Sequence, residues 1–129
     1  MRVIHFTEGA CDPLWGAKQP GVGFAPLLEG EGPTQIGCLH LSSGAAFDKA
    51  ALENACALLI IQGKVVLREP CWLRLGGGVG IVMERGERFR LESEQRAVVL
   101  LVESRGLEAT EIAISTPERI AGQRWGDEV

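Results

Sequence analysis

Short apolar runs, punctuated by glycine and proline, recur along the chain at lengths that suit strands. They are Thr34 to Leu41, Cys56 to Ile61, Val65 to Leu67, Val79 to Met83, Phe89 to Leu91, Ala97 to Val102 and Glu111 to Ile114. Helix-period stripes are almost absent. Runs of this kind with turn signals between them predict an all-β sandwich or barrel with little helix. Gln62-Gly63 separates two runs by two residues, which predicts a tight hairpin with Gly63 at positive φ. Ala97 to Val102 is apolar at every position, so this strand needs cover on both faces. A barrel lumen supplies one cover; a second layer or a partner subunit supplies the other.

The first 33 residues differ. Pro13, Gly16, Pro20, Gly21, Gly23, Pro26, Gly30, Gly32 and Pro33 interrupt them, which predicts an arm with one or two short strands, Val22 to Leu28 foremost. The chain therefore divides into an arm (1–33), a barrel core (34–115) and a tail (116–129) within one domain. Ser115-Thr116-Pro117-Glu118 has the cap, first-turn proline and glutamate of a short helical turn. Trp125 in the tail reads as packing back on the body. Gly76-Gly77-Gly78-Val79-Gly80 lacks the Lys-Ser/Thr and the following helix of a phosphate loop, and reads as a turn between strands.

Composition narrows the function classes. The chain has 129 residues, 46% of them hydrophobic and 23% charged, as in ordinary globular proteins. No apolar run reaches the 18 or so residues of a membrane-spanning helix. The net charge is −4 and the pI about 5.2. The densest basic cluster, Arg85, Arg88 and Arg90, is interleaved with Glu84, Glu87 and Glu92, which argues against nucleic-acid binding. Met1 to Phe6 has no secretory core, so Cys11, Cys38, Cys56 and Cys71 are expected to be reduced thiols in the cytoplasm. None of the four belongs to a CxxC pair, and their gaps suit neither a zinc knuckle nor a redox dithiol.

The segment from Gly44 to Phe89 resembles the two-motif core of the cupin superfamily. The first family motif runs Gly, five residues, His-x-His, three or four residues, Glu, six residues, Gly; here Gly44 and Gly63 stand at that separation. The second runs Gly, five residues, Pro-x-Gly, two residues, His; here Gly78, Gly86 and Phe89 occupy those places. A Gly-Glu-Arg turn (Gly86 to Arg88) and a Ser-Thr-Pro-Glu-Arg tail (Ser115 to Arg119) add to a likeness with small bacterial single-domain cupins of unassigned activity. With flanking strands the resemblance covers residues 20 to 115. It implies a cupin-type β-barrel of two antiparallel, jelly-roll-like sheets, with the site in the lumen.

The departures define the functional expectation. The two motif-one His positions hold Ala50 and Leu52, the Glu position Cys56, the motif-two His position Phe89 and the Pro position Glu84. A lone Cys56 does not replace the imidazoles and carboxylate that the family uses, so no metal and no other cofactor is expected. The chain has no Tyr, which removes the His/Tyr chemistry of the related sugar-nucleotide epimerases. The first reading is a metal-free, non-enzymatic cupin. Its apolar lumen, walled by Ala50, Leu52, Cys56, Leu58, Phe89 and Met83, binds a small molecule or is packed shut. The alternative is an enzyme of isomerase or oxygenase type with a displaced site at His40. His40 and Cys38 share one strand face, and they join the pocket if that face looks inward. A third reading is a purely interaction-based role. A homodimer through sheet surfaces and the arm, which carries Phe6, Trp15 and Phe24, is expected in any case.

Overall fold

The computed structural model describes residues 1–7, 26–111 and 113–114. Among these the regular elements are nine strands: β1 (Arg2–His5), β2 (Leu28–Leu41), β3 (Ala46–Lys49), β4 (Ala55–Gln62), β5 (Lys64–Glu69), β6 (Leu73–Gly76), β7 (Val79–Met83), β8 (Phe89–Ser93) and β9 (Ala97–Ala109). They form two antiparallel sheets. One has five strands in the order β1-β7-β4-β9-β2, and the other has four in the order β3-β8-β5-β6. The all-β expectation and the runs that became β2, β4, β5, β7, β8 and β9 therefore hold.

The inner faces of the two sheets meet in one apolar cluster. Strand β4 gives it Cys56, Leu58 and Ile60, β7 gives Val79, Ile81 and Met83, and β9 gives Ala97 and Val99. The second sheet answers with Val65, Leu67, Leu75, Phe89 and Leu91. Alternate residues of β4 and β9, namely Ala55, Ala57, Leu59 and Val102, point the other way into a second cluster with Ile4, Leu107 and Ala113. That is the two-sided cover that the uninterrupted Ala97 to Val102 run demanded.

Four glycines carry the resemblance, and all four have positive φ: Gly44 (82°), Gly63 (92°), Gly78 (93°) and Gly86 (90°). Their spacing is thus a spacing of left-handed turn residues, which L side chains disfavour. Gly76 to Gly78 does connect two strands, β6 and β7, as expected.

Three expectations are corrected. Gly63 does not close a hairpin: β4 and β5 lie in different sheets, so the turn is a corner between layers. The local signals are identical, because a two-residue turn fixes chain reversal but not which strand completes each ladder. Glu111 to Ile114 is not a strand; Ile114 makes only an isolated bridge to Ile4. The described ends of the arm are not separate from the barrel either. Arg2–His5 pairs with β7 of its own chain, and the division at residue 33 falls inside β2. Trp15, Phe24, most of Val22 to Leu28, the turn at Ser115 to Glu118 and Trp125 lie outside the described residues.

Arg90 of the basic cluster faces carboxylates across the exposed side of the four-stranded sheet. Arg90 sits 3.3 Å from Asp48 and 3.1 Å from Glu92, which Arg68 also reaches at 2.9 Å. Arg68 and Arg90 together hold the Glu92 carboxyl below its usual range.

Candidate functional site

Antiparallel partners share a face, so the registers define rows across the five-stranded sheet. One row runs Met83, Cys56, Glu103, Gln35 from β7 to β2. It begins among core side chains and ends polar at the barrel mouth. The next row inward runs Ile81, Leu58, Leu101, Gly37. From the facing sheet, Lys49 stands beside Phe89 in the β3–β8 ladder. Its ammonium reaches Glu103 Oε1 at 3.2 Å and so ties the two sheets together at the mouth. A cleft of about 300 Å³ adjoins this pair, lined by Gln35, Ile36, Gly37, Leu101 and Glu103. A second opening of about 420 Å³, with Asn54 and Arg105 on its walls, shares Gln35 and Glu103.

Cys56 lies directly behind the ion pair and is fully buried. Burial, with the negative charge of Glu103 adding to it, pushes the thiol from 9.0 up to about 12; Lys49 opposes the shift. A thiol in that state is neutral at physiological pH and a poor nucleophile. Folded protein at pH 8 is therefore expected to lose the exposed Cys38 and Cys71 thiols rapidly to a maleimide while Cys56 persists. Labelling of Cys56 at a rate matching Cys38 would refute this. The same shift has a stability consequence. Because the folded pKa is raised, the native state holds a proton that the unfolded chain releases, and stability falls as pH rises from about 9 toward 12. Cys56→Ala is expected to flatten that decline, read as the urea midpoint at successive pH values.

Of the expected lumen residues, Leu52, Cys56, Leu58, Met83 and Phe89 all belong to the inner cluster. Ala50 does not. It is exposed, and Lys49, one residue earlier, takes the inward direction. Cys38 and His40 are exposed as well. On β2 it is Leu39 and Leu41 that pack against the inner cluster, so the Cys38/His40 face looks outward. Cys38 Sγ lies 3.6 Å from His40 Nε2, a local contact on the outer surface. Lys49, Glu103 and Gln35 were missed by sequence reasoning. A period-two signal was present for two of them: Lys49 follows Phe47 and Glu103 follows Leu101 at the inward spacing.

Twenty-one chains of solved structures match this fold. A cupin superfamily protein from Desulfitobacterium hafniense matches with a TM-score of 0.52 and 14% identity, over 60% of this chain and 75% of that one. The fold is a cupin fold. An RmlC-like cupin from Shewanella frigidimarina matches at a TM-score of 0.51 and 11% identity, covering 66% of this chain and 72% of its own. A conserved protein of unknown function from Streptococcus pyogenes matches at 0.52 and 20%, covering 61% and 70%. No protein-family profile and no curated protein matches the chain.

A metal ion, which the cupin fold implies, does not suit the residues at the corresponding place. Leu52 and Phe89 have no lone pairs, Ala50 faces solvent and Cys56 is a neutral thiol. Lys49 adds a fixed positive charge where a cation would have to sit. Among the described residues no three His, Cys, Asp or Glu side chains group as metal ligands.

Proposed function

We propose that this cupin-fold chain is a metal-independent, non-catalytic binding module that takes a small amphipathic molecule at the barrel mouth. The observation that carries this reading is the Lys49–Glu103 pair, 3.2 Å apart and bridging the sheets at the edge of a cleft. Gln35 and the pair offer polar anchors for a head group, and Leu101 an apolar wall for its body. A few convergent polar groups on an apolar wall are the usual form of a small-molecule site. Deeper entry is opposed by the buried side chains of Leu58, Met83 and Phe89. A thiol as inert as Cys56 supports binding over covalent catalysis. A displaced catalytic site at His40 finds no support, because His40 lies on the opposite face of β2 from Gln35 and Glu103.

Native mass spectrometry of freshly purified protein tests both halves of the proposal. The expected result is a small-molecule mass increment, no stoichiometric transition metal, and loss of the increment in Lys49→Met with Glu103→Leu. One metal ion per chain would overturn metal independence. A bare chain, with no saturable binding of the amphipathic probe anilinonaphthalene sulfonate, would overturn the binding role.

A further inference from the structure

Charge at the barrel mouth is arranged as a dipole rather than as a surplus of one sign. Lys49 Nζ and Glu103 Oε1 lie 3.2 Å apart, and their side chains are 37% and 23% exposed, so both stay open to a ligand while compensating each other. A head group with one charge meets an attracting and a repelling group at nearly the same distance, and the two Coulomb contributions largely cancel. It also draws one partner away and leaves the other, partly buried, without compensation, which is costly. A head group with both charges avoids this. Its carboxylate lies beside the Lys49 ammonium and its ammonium beside the Glu103 carboxylate, so four charges alternate in sign around a closed cycle of charge-assisted contacts. Neither sign dominates the surroundings. Arg105 borders the second opening, and Glu31 and Glu108 border a further one along β2 and β9.

We propose that the mouth takes an apolar α-amino acid, held as its zwitterion across Lys49 and Glu103, an inference that rests on reading the mouth as a small-molecule site. In an α-amino acid the ammonium and the carboxylate flank a single carbon, so their separation is close to that of the pair. A zwitterion with distant charges reaches only one partner at a time. Gln35 stands next to Glu103 in the same row of the sheet. Its amide donates to the ligand carboxylate or accepts from the ligand ammonium. The apolar side chain falls on the next row inward, at Leu101 and Gly37. Leu101 gives it an apolar wall. Gly37 gives it room, because a Cβ built there meets nothing within 4 Å. The cleft of about 300 Å³ and the buried Leu58 beyond it set the limit on side-chain length.

Calorimetric titration of the full chain with L-leucine and two single-charge analogues tests the proposal. N-acetyl-L-leucine keeps only the carboxylate, and L-leucinamide only the ammonium. Leucine is expected to bind saturably, and each analogue at least about tenfold more weakly. Equal affinities for all three overturn the proposal, and this series on the unmodified chain does not depend on any variant folding. Single substitutions add a readout that a merely structural ion pair would not move. Lys49→Met is expected to reverse the order in favour of leucinamide, and Glu103→Gln in favour of N-acetylleucine. An order unchanged in both folded variants overturns the assignment to this pair. Anilinonaphthalene sulfonate, whose larger apolar body offsets its single charge, separates this inference from the reading beneath it. Saturable binding of that probe without leucine binding overturns the amino-acid assignment alone. Binding of neither overturns the mouth as a binding site as well.

Discussion

Phe89→Ala is expected to lower the unfolding free energy by about 4 kcal/mol. Phe89 is 1% exposed, at the heart of the inner cluster. Its ring contacts that of Phe47 at a centroid distance of 5.6 Å and an interplanar angle of 49°. Truncation removes the transfer free energy of the ring, leaves a cavity and deletes an aromatic pair that adds about 1 kcal/mol beyond burial. Collapse of the cavity is limited because its walls are held in two hydrogen-bonded sheets. Since a small domain is stable by about 5–15 kcal/mol, the urea midpoint is expected to fall by roughly 2 M. A loss below about 1 kcal/mol would mean that Phe89 does not hold the sheets together. Substitution of exposed Ala50 by Ser serves as the contrast and is expected to stay within about 0.5 kcal/mol.

Gly63→Ala is expected to cost about 3 kcal/mol, more than the same change at Gly44 or Gly86. All three glycines have φ between 82° and 92°, so each substitution incurs the left-handed penalty of roughly 1–2 kcal/mol. At Gly44 and Gly86 a Cβ would meet nothing within 4 Å. At Gly63 it would fall 2.7 Å from Ala97 Cα and 2.9 Å from Ala97 Cβ, where β9 begins. Backbone cannot rotate away as a side chain can, so the corner between the sheets must open. Thermal unfolding of the three variants decides the point. Equal losses at all three positions would show that conformation alone, and not the approach of β9, sets the requirement for glycine.

The legible part was the packed apolar cluster behind the mouth. Leu52, Cys56, Leu58, Met83 and Phe89 were reached through the glycine spacing, and turn glycines at positive φ hold that spacing in three dimensions. The missed part was charged. A Lys and a Glu in strands read as solvated surface when taken singly, and Lys49 and Glu103 are 54 residues apart in sequence. Only the approach of β3 to β9 makes them a pair. Ala50 failed because the chain bends after Lys49, so an inward direction cannot be carried one residue past the end of β3. Cys38 and His40 were correctly seen to share a face, but the face itself was open until Leu39 and Leu41 were found in the core.

By itself the sequence determined the all-β class, the turn glycines and the inward residues of β4 and β7. These are local properties: a period of two assigns faces within a strand, and a left-handed turn demands glycine wherever it falls. Tertiary structure alone decided that Gly63 is a corner between sheets, that Lys49 meets Glu103, and that β2 is a 14-residue edge strand among the described residues. Each of those depends on which strands lie side by side, and strand pairing is a free-energy balance over contacts far apart in the chain, with no counterpart in any single window of residues.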